Sequence, residues 1–244
     1  MRTRRALWLK SIEAAPLLPR SNIGTAVRHA ITGVTKLAPL QLTIARGDTV
    51  VQVGAVGKGE IWEMARLVGP SGKVIAVEPA PDNLEAIRKR IADEGIRNVT
   101  VIPKGAWSEP GTQDLFMHPK FAGSHIMLAS GSQHDRAMEP DAYAARVTID
   151  VDRLDTILTQ HGIEHCDFIK ITVMGAEMKV LAGMDRLLAV TPKIWVKAHA
   201  TIGGEPANRA ISNLLRARGY RTVLTRGNSG PDGQRPGDVF ATRL

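Results

Sequence analysis

From Asp48 onward, short apolar runs alternate with stretches of helical periodicity, the pattern of a parallel sheet covered by helices on both faces. Residues 49–53 predict a buried strand ending in a glycine turn. Residues 60–68 carry apolar positions at helical spacing and stop at Gly69-Pro70-Ser71-Gly72, a chain-reversal signal. A second strand is predicted over 73–78, after which Pro79 to Pro81 open a helix over 82–94 that Gly95 closes. Further strands are predicted over 99–103, 146–151, 166–172 and 193–198, with residues 111–117 extended. Helices are predicted over 151–160, 176–188 and 206–218. Residues 220–225 and 238–242, joined by a loop of Gly, Asn, Ser, Pro and Asp, predict a closing β-hairpin. Residues 119–142 show no periodicity and predict an irregular lid or insertion.

With 244 residues, 43% apolar and 23% charged, the chain can build one sizeable core. Cys166 is the single cysteine, which excludes an intrachain disulfide and a multi-cysteine metal site; no metal ligand set is predicted. No uninterrupted apolar run reaches the length of a membrane span, and Lys10 and Glu13 break the first apolar stretch. A cytoplasmic protein is the resulting expectation. The net charge of +8 changes the picture only for the first residues: up to position 46 there are eight Lys/Arg and one acid, Glu13, while the rest carries 24 basic and 23 acidic side chains. A basic, mainly helical arm over 1–46 and a domain over 47–244 follow, without a phosphate-tracking groove across the domain, so no nucleic-acid partner is expected. Within the arm, Leu7, Trp8, Leu9 and Ile12 stand beside the cations, so it suits either peripheral contact with a membrane or docking on the domain. A homo-oligomer is compatible with everything read here.

Candidate chemistry gathers after the first two strands. The turn Gly54-Ala55-Val56-Gly57-Lys58-Gly59 lies between a strand and a helix, where backbone N–H groups and a helix N-terminus face a ligand. Glu78, followed by Pro79, ends the second strand and faces the same crevice, where a carboxylate accepts the hydroxyls of a ribose. Ala106 and Trp107 follow the third strand, and the indole either covers an adenine or plugs the core. A glycine turn followed by an acid also suits a nicotinamide-dependent oxidoreductase, which the terminal hairpin argues against.

Several stretches resemble the FkbM-type methyltransferases: VVQVGA, RLVGPSGKVIAVEPAPDNLEAIRKR, RNVTVIPKGAWSEPGT, VDRLDTILTQHGI, DFIKITVMGAEMKVLAGM and PKIWVKAHA. They fall in family order and cover about residues 48–200. The resemblance implies an α/β fold of the Rossmann-like class I methyltransferase type: a mostly parallel seven-stranded sheet with a terminal antiparallel hairpin and helices on both faces. It also implies S-adenosylmethionine as methyl donor and O-methylation of a hydroxyl on a small molecule or glycan. Gly54 matches the first glycine of the donor loop, Glu78 the ribose acid, Ala106 and Trp107 the adenine level, Ser124 a Gly-Ser element over the site, Lys170, Gly175 and Glu177 the late motif, and His199 a histidine after the fifth strand; Ala55, Gly57 and Pro79 beside them are cofactor-binding candidates.

The departures from that pattern are systematic. Gln52 stands where the family usually has Asp, Val56 and Lys58 interrupt the loop, Thr172 and Met174 replace two acids, and Lys197 replaces a glutamate. Gln52 and Lys170 are retained as donor-side candidates. With the usual acids gone, the candidate general bases are His199 and His125, with Glu177 orienting. The same losses support a second reading, a methyltransferase-like binding or scaffolding protein without turnover.

Overall fold

The computed structural model describes residues 43–55, 59–117, 125–126, 145–199, 201–202, 205–225 and 237–243. The first strand, β1 (Thr49–Val53), is followed by helix α1 (Glu60–Val68), strand β2 (Lys73–Val77), helix α2 (Pro81–Glu94) and strand β3 (Val99–Ile102). The second half supplies α3 (Leu154–Gln160), β8 (Phe168–Ile171), α4 (Glu177–Ala182), α5 (Asp185–Val190), β9 (Lys193–Val196), α6 (Ala207–Ala217), β12 (Tyr220–Leu224) and β13 (Val239–Arg243). The main sheet has seven strands in the order β12-β13-β9-β8-β1-β2-β3. Strands β3, β2, β1, β8 and β9 are parallel, and β13 runs antiparallel to both β9 and β12. That is the predicted fold class, hairpin included.

Alternation along the strands builds one core on each face of the sheet. Val51, Val53, Ile169 and Ile171 pack with Leu154, Ile157, Val180, Leu187 and Ile211, so α3 to α6 cover that face. Val50, Ala76 and Phe168 pack on the other face with Ile61, Met64, Val68 and Ile87 from α1 and α2. On α1 the buried positions Ile61, Met64, Ala65 and Val68 follow the i, i+3, i+4, i+7 spacing that fixes one face of a helix. Helix α2 starts at Pro81, one residue before the predicted start, and ends at the predicted Gly95 in the left-handed conformation (φ 62°).

A second sheet was not legible from the sequence. It has the order β4-β7-β5-β6, with β4 at Gly105–Trp107, β5 at Gly111–Met117, β6 at His125–Ile126 and β7 at Ala145–Arg153. Trp107, Leu115, Ile149 and Val151 share a small core with Ala80 and Ala176, which fastens this sheet to the carboxyl end of the main one. Two short strands, β10 (Thr201–Ile202) and β11 (Glu205–Pro206), pair antiparallel ahead of α6.

Two helix predictions need correction. The helix expected over 151–160 begins at Leu154, because Val151, Asp152 and Arg153 pair with Gly105, Ala106 and Trp107 as a strand. The helix expected over 176–188 is two helices. A Cβ on Gly183 would lie 1.9 Å from the Trp107 carbonyl oxygen, and the first amides of α5, on Arg186 and Leu187, donate to the Asp155 carboxylate at 2.9 and 3.0 Å. Close packing on β4 and a cap supplied from α3 therefore break a stretch whose apolar period continues unbroken. The predicted arm up to residue 42 and most of the predicted lid lie outside the described residues. No helix among the described residues is long and apolar enough to cross a membrane.

Candidate active site

Strand β1 pairs with β2 on one side and β8 on the other, all three parallel, so their carboxyl ends open a crevice at the point where the strand order reverses. Gly54 turns the chain there at φ 77°, its N–H donating to the Val77 carbonyl at 2.9 Å. A Cβ at this position would sit 2.0 Å from the Thr172 carbonyl oxygen. Only glycine permits both the backbone angle and this approach of β1 to β8.

Glu78, just past β2, is buried at 5% exposure. Its Oε1 accepts the Ala80 amide at 2.8 Å and the Asn83 side-chain amide at 3.2 Å. Burial pushes the carboxyl up to about 7, against the pull of hydrogen bonds from Ala80, Asn83 and the Ala55 amide. The Ala55 amide belongs to the turn after β1, so the turn and the acid converge on one place, as the sequence reading requires. Pro79 is half-buried beside them.

At the other edge of the crevice, His199 follows β9 and Glu177 opens α4. The His199 Nδ1 lies 2.8 Å from Glu177 Oε1 and 3.0 Å from the Val173 carbonyl oxygen. A carbonyl oxygen only accepts, so Nδ1 carries the proton and donates, which leaves Nε2 of the neutral ring as an acceptor. Glu177 is buried and also faces the Gly175 amide, at 3.3 Å from its Oε1. The structure thus brings together two residues, 22 positions apart in sequence, that were predicted as base and orienting acid.

Lys170 is 1% exposed on β8. Its ammonium pairs with Glu60, the first residue of α1, and lies 4.3 Å from the centre of the Trp195 ring. Burial lowers its basicity, opposed by the attraction of Glu60. Lys170 therefore ties β8 to the helix that follows the glycine turn. Trp107 is buried against Ala80, Leu115, Ile149, Val151 and Ala176, with the Lys179 ammonium 5.8 Å from its ring centre. Ala106 is buried in the main core.

The family model for the methyltransferase FkbM domain matches residues 52–222. The chain belongs to the FkbM methyltransferase domain family. S-adenosylmethionine is the cofactor of this family. The FkbM chain is 24% identical over 184 residues to Methyltransferase sdnD of Sordaria araneosa, covering 67% of this chain and 70% of that protein. It is 36% identical over 74 residues to the protein-L-isoaspartate O-methyltransferase of Ignicoccus hospitalis, covering 30% of this chain and 33% of that one. Among solved structures, Aeropyrum pernix fibrillarin with natively bound S-adenosyl-L-methionine superposes with a TM-score of 0.54 at 14% identity, covering 87% of this chain and 74% of that one. SMU.1697c of Streptococcus mutans, in complex with SAH, superposes with a TM-score of 0.50 at 11% identity, covering 84% and 93%. At these identities the structures speak for the fold.

The residues at the switch point of the FkbM domain fit the donor. Two buried side-chain atoms there, Gln52 Oε1 and Thr172 Oγ1, have no hydrogen-bond partner among the described residues, and buried polar atoms in native sites are satisfied by protein, water or ligand. Gln52, one of the departures from the family pattern, makes bonds an aspartate cannot. Its Nε2 donates to the Gly54 carbonyl oxygen at 3.2 Å and to that of Val53 at 3.4 Å. Thr172 and Met174 are half-buried beside the crevice, and Lys197 is exposed at the end of β9. Gly57, Val56, Lys58 and Ser124 lie outside the described residues, as does the side chain of His125.

Three residues that contact the candidate site are absent from the sequence expectations. Asn83, on the Glu78 carboxylate, was visible only as part of EPAPDN. Glu60 is only the first residue of the helix predicted over 60–68, with nothing in the sequence to point to Lys170. Asp238 lies far along the chain from every motif, just before the last strand, and only the antiparallel pairing of β13 with β9 carries it to the site.

Proposed function

We propose that this protein transfers the methyl group of S-adenosylmethionine to a hydroxyl of a small molecule or sugar, with His199 as the general base. The observation that carries the reading is the His199–Glu177 pair at 2.8 Å, with the Val173 carbonyl fixing which ring nitrogen bears the proton. When bound, S-adenosylmethionine supplies an electrophilic methyl group on a sulfonium. Gly54, the Ala55 amide, Glu78 and the free acceptor atom of Gln52 form the donor end of this reading, in which Glu78 accepts the ribose hydroxyls. His199 accepts the acceptor's hydroxyl proton at Nε2, and Glu177 steadies the resulting imidazolium. The His199 side chain is 13% exposed, against 2% for that of Glu177. Orientation of the acceptor oxygen in line with the donor methyl supplies the rest of the rate.

The test is methylation from radiolabelled S-adenosylmethionine across matched panels of hydroxyl-bearing and amine-bearing acceptors. Labelled ethers, lost in His199→Ala while that variant still binds S-adenosylhomocysteine, are the expected result. Label on amines alone overturns the proposed chemistry. Donor binding without any label favours the non-catalytic reading, which the four replaced acids also support.

A further inference from the structure

Asp238 precedes β13, whose first residue Val239 pairs with Val196 at the end of β9. This places the carboxylate at the same end of the sheet as Gly54, Glu78, Thr172 and His199. Its anchoring is unusually complete. Asp238 Oδ2 accepts the Trp195 indole N–H at 2.9 Å, while the backbone is pinned by reciprocal bonds with Thr225 at 2.8 and 3.0 Å. The indole itself is held between the Phe240 ring, 4.7 Å away, and the Lys170 ammonium.

Its charge is less settled than its position. Asp238 forms no ion pair within 4.0 Å among the described residues; Lys170, Lys197 and His199 act on it only through space. Burial raises its carboxyl, and the Trp195 bond and those three groups pull it back. Of the cations, Lys170 is neutralised at contact by Glu60, whereas the exposed Lys197 ammonium meets no described partner. Glu177 is committed to His199, and Glu78 stands at the far side of the crevice, past β2. A sulfonium entering across the ends of β1 and β8 therefore meets the Lys197 cation, and among the described residues Asp238 is the carboxylate left to offset it.

We propose that Asp238 is the counter-charge that lets a cationic methyl donor bind beside Lys197, selecting the sulfonium over its neutral thioether product. This rests on the donor-binding reading above. It makes Asp238 a determinant of donor charge preference, acting across the site through the field and without contact.

The experiment is calorimetric binding of S-adenosylmethionine and S-adenosylhomocysteine to the full chain at pH 8 and low salt, for wild type, Asp238→Asn and the double variant Asp238→Asn/Lys197→Met. Asparagine keeps an oxygen for the Trp195 indole, so the anchor survives. Loss of one unit charge in a partly screened site is expected to weaken the sulfonium ligand about five- to tenfold, with the thioether changed less than twofold. Removing Lys197 in the same background is expected to restore most of that loss. Equal weakening of both ligands overturns the inference, because it reduces Asp238 to a support for Trp195; unchanged affinity for both overturns it as well. Failure of wild type to bind either ligand defeats the donor-binding reading itself, a result separable from the other two.

Discussion

Glu177 reaches from the first turn of α4 to the imidazole of His199 beyond β9, 2.8 Å from Nδ1, and the Val173 carbonyl stands 3.0 Å from the same nitrogen. Two acceptors on one ring nitrogen leave a single workable tautomer, so the geometry assigns a proton as well as a contact. The base proposed above thus stands beside Thr172 and Met174, where the family usually carries acids.

His199→Ala is expected to lower turnover about 10²–10⁴-fold, the usual contribution of a general base. Glu177→Gln should cost less, because an amide oxygen still accepts from Nδ1 and the Val173 carbonyl still selects the tautomer. Steady-state rates, read beside S-adenosylhomocysteine affinity, check this. A His199 variant that turns over normally, or that loses donor binding in parallel with rate, removes the histidine from its role.

Glu78 predicts a pH dependence. Its carboxyl stands at about 7 in the fold against 4.5 ordinarily, so the folded state binds the proton more tightly than the unfolded chain does. The associated stability is fully present below about 4.5 and is lost as pH rises through about 7, amounting to about 3 kcal/mol at about 1.4 kcal/mol per unit. Urea melts at pH 5 and pH 8 should show this fall in wild type and not in Glu78→Gln. Donor affinity should move oppositely, since ribose hydroxyls donate best to the ionised carboxylate: S-adenosylhomocysteine should bind more tightly at pH 8 than at pH 6. Parallel pH slopes in wild type and variant would overturn the assignment.

The parts of the fold visible in the sequence were those where local and global preferences agree. Strands β1, β2 and β8 are apolar runs bounded by turn residues, and α1 carries its core face at regular spacing. What stayed hidden was decided by partners distant in sequence. Gly105-Ala106-Trp107 is too short to show a period, and it is a strand because β7 runs past Val151 to meet it. Gly183 reads as a tolerated helix glycine, yet the Trp107 carbonyl allows nothing larger. The site followed the same rule: Gly54, Glu78 and His199 sit in recognisable strings, while Glu60 and Asp238 gain their meaning only from Lys170 and Trp195.

Gly54 and Gly95 separate two costs that glycine substitution usually combines. Both have positive φ, 77° and 62°, but a Cβ on Gly54 would strike the Thr172 carbonyl at 2.0 Å, and one on Gly95 meets nothing within 4 Å. Gly95→Ala should cost about 1 kcal/mol of backbone strain, whereas Gly54→Ala adds a collision with rigid main chain and should cost about 3 kcal/mol or more. Denaturant midpoints for the two variants give the comparison. Equal losses would mean that β8 can yield at Thr172, and that the tight approach of the two strands is not a constraint on the donor turn.

The Lys170–Glu60 pair is asymmetric in a way that sets the order of two substitutions. Lys170 is 1% exposed and Glu60 40% in their side chains. Glu60→Gln leaves an ammonium enclosed, with the Trp195 ring as its nearest compensation, and a broken buried pair of this kind costs about 3 kcal/mol or more. Lys170→Met removes the charge from the interior and fills much of its volume, while the Glu60 carboxylate turns to water, so the expected loss is about 1 kcal/mol. With Lys170→Met already present, adding Glu60→Gln should cost almost nothing further, because the carboxylate no longer has a buried partner. Urea unfolding of the two single variants and the double variant measures all three terms. If Lys170→Met proves the more damaging single change, the lysine contributes something beyond neutralising its own burial, and its link from β8 to α1 has to be counted as part of the donor site.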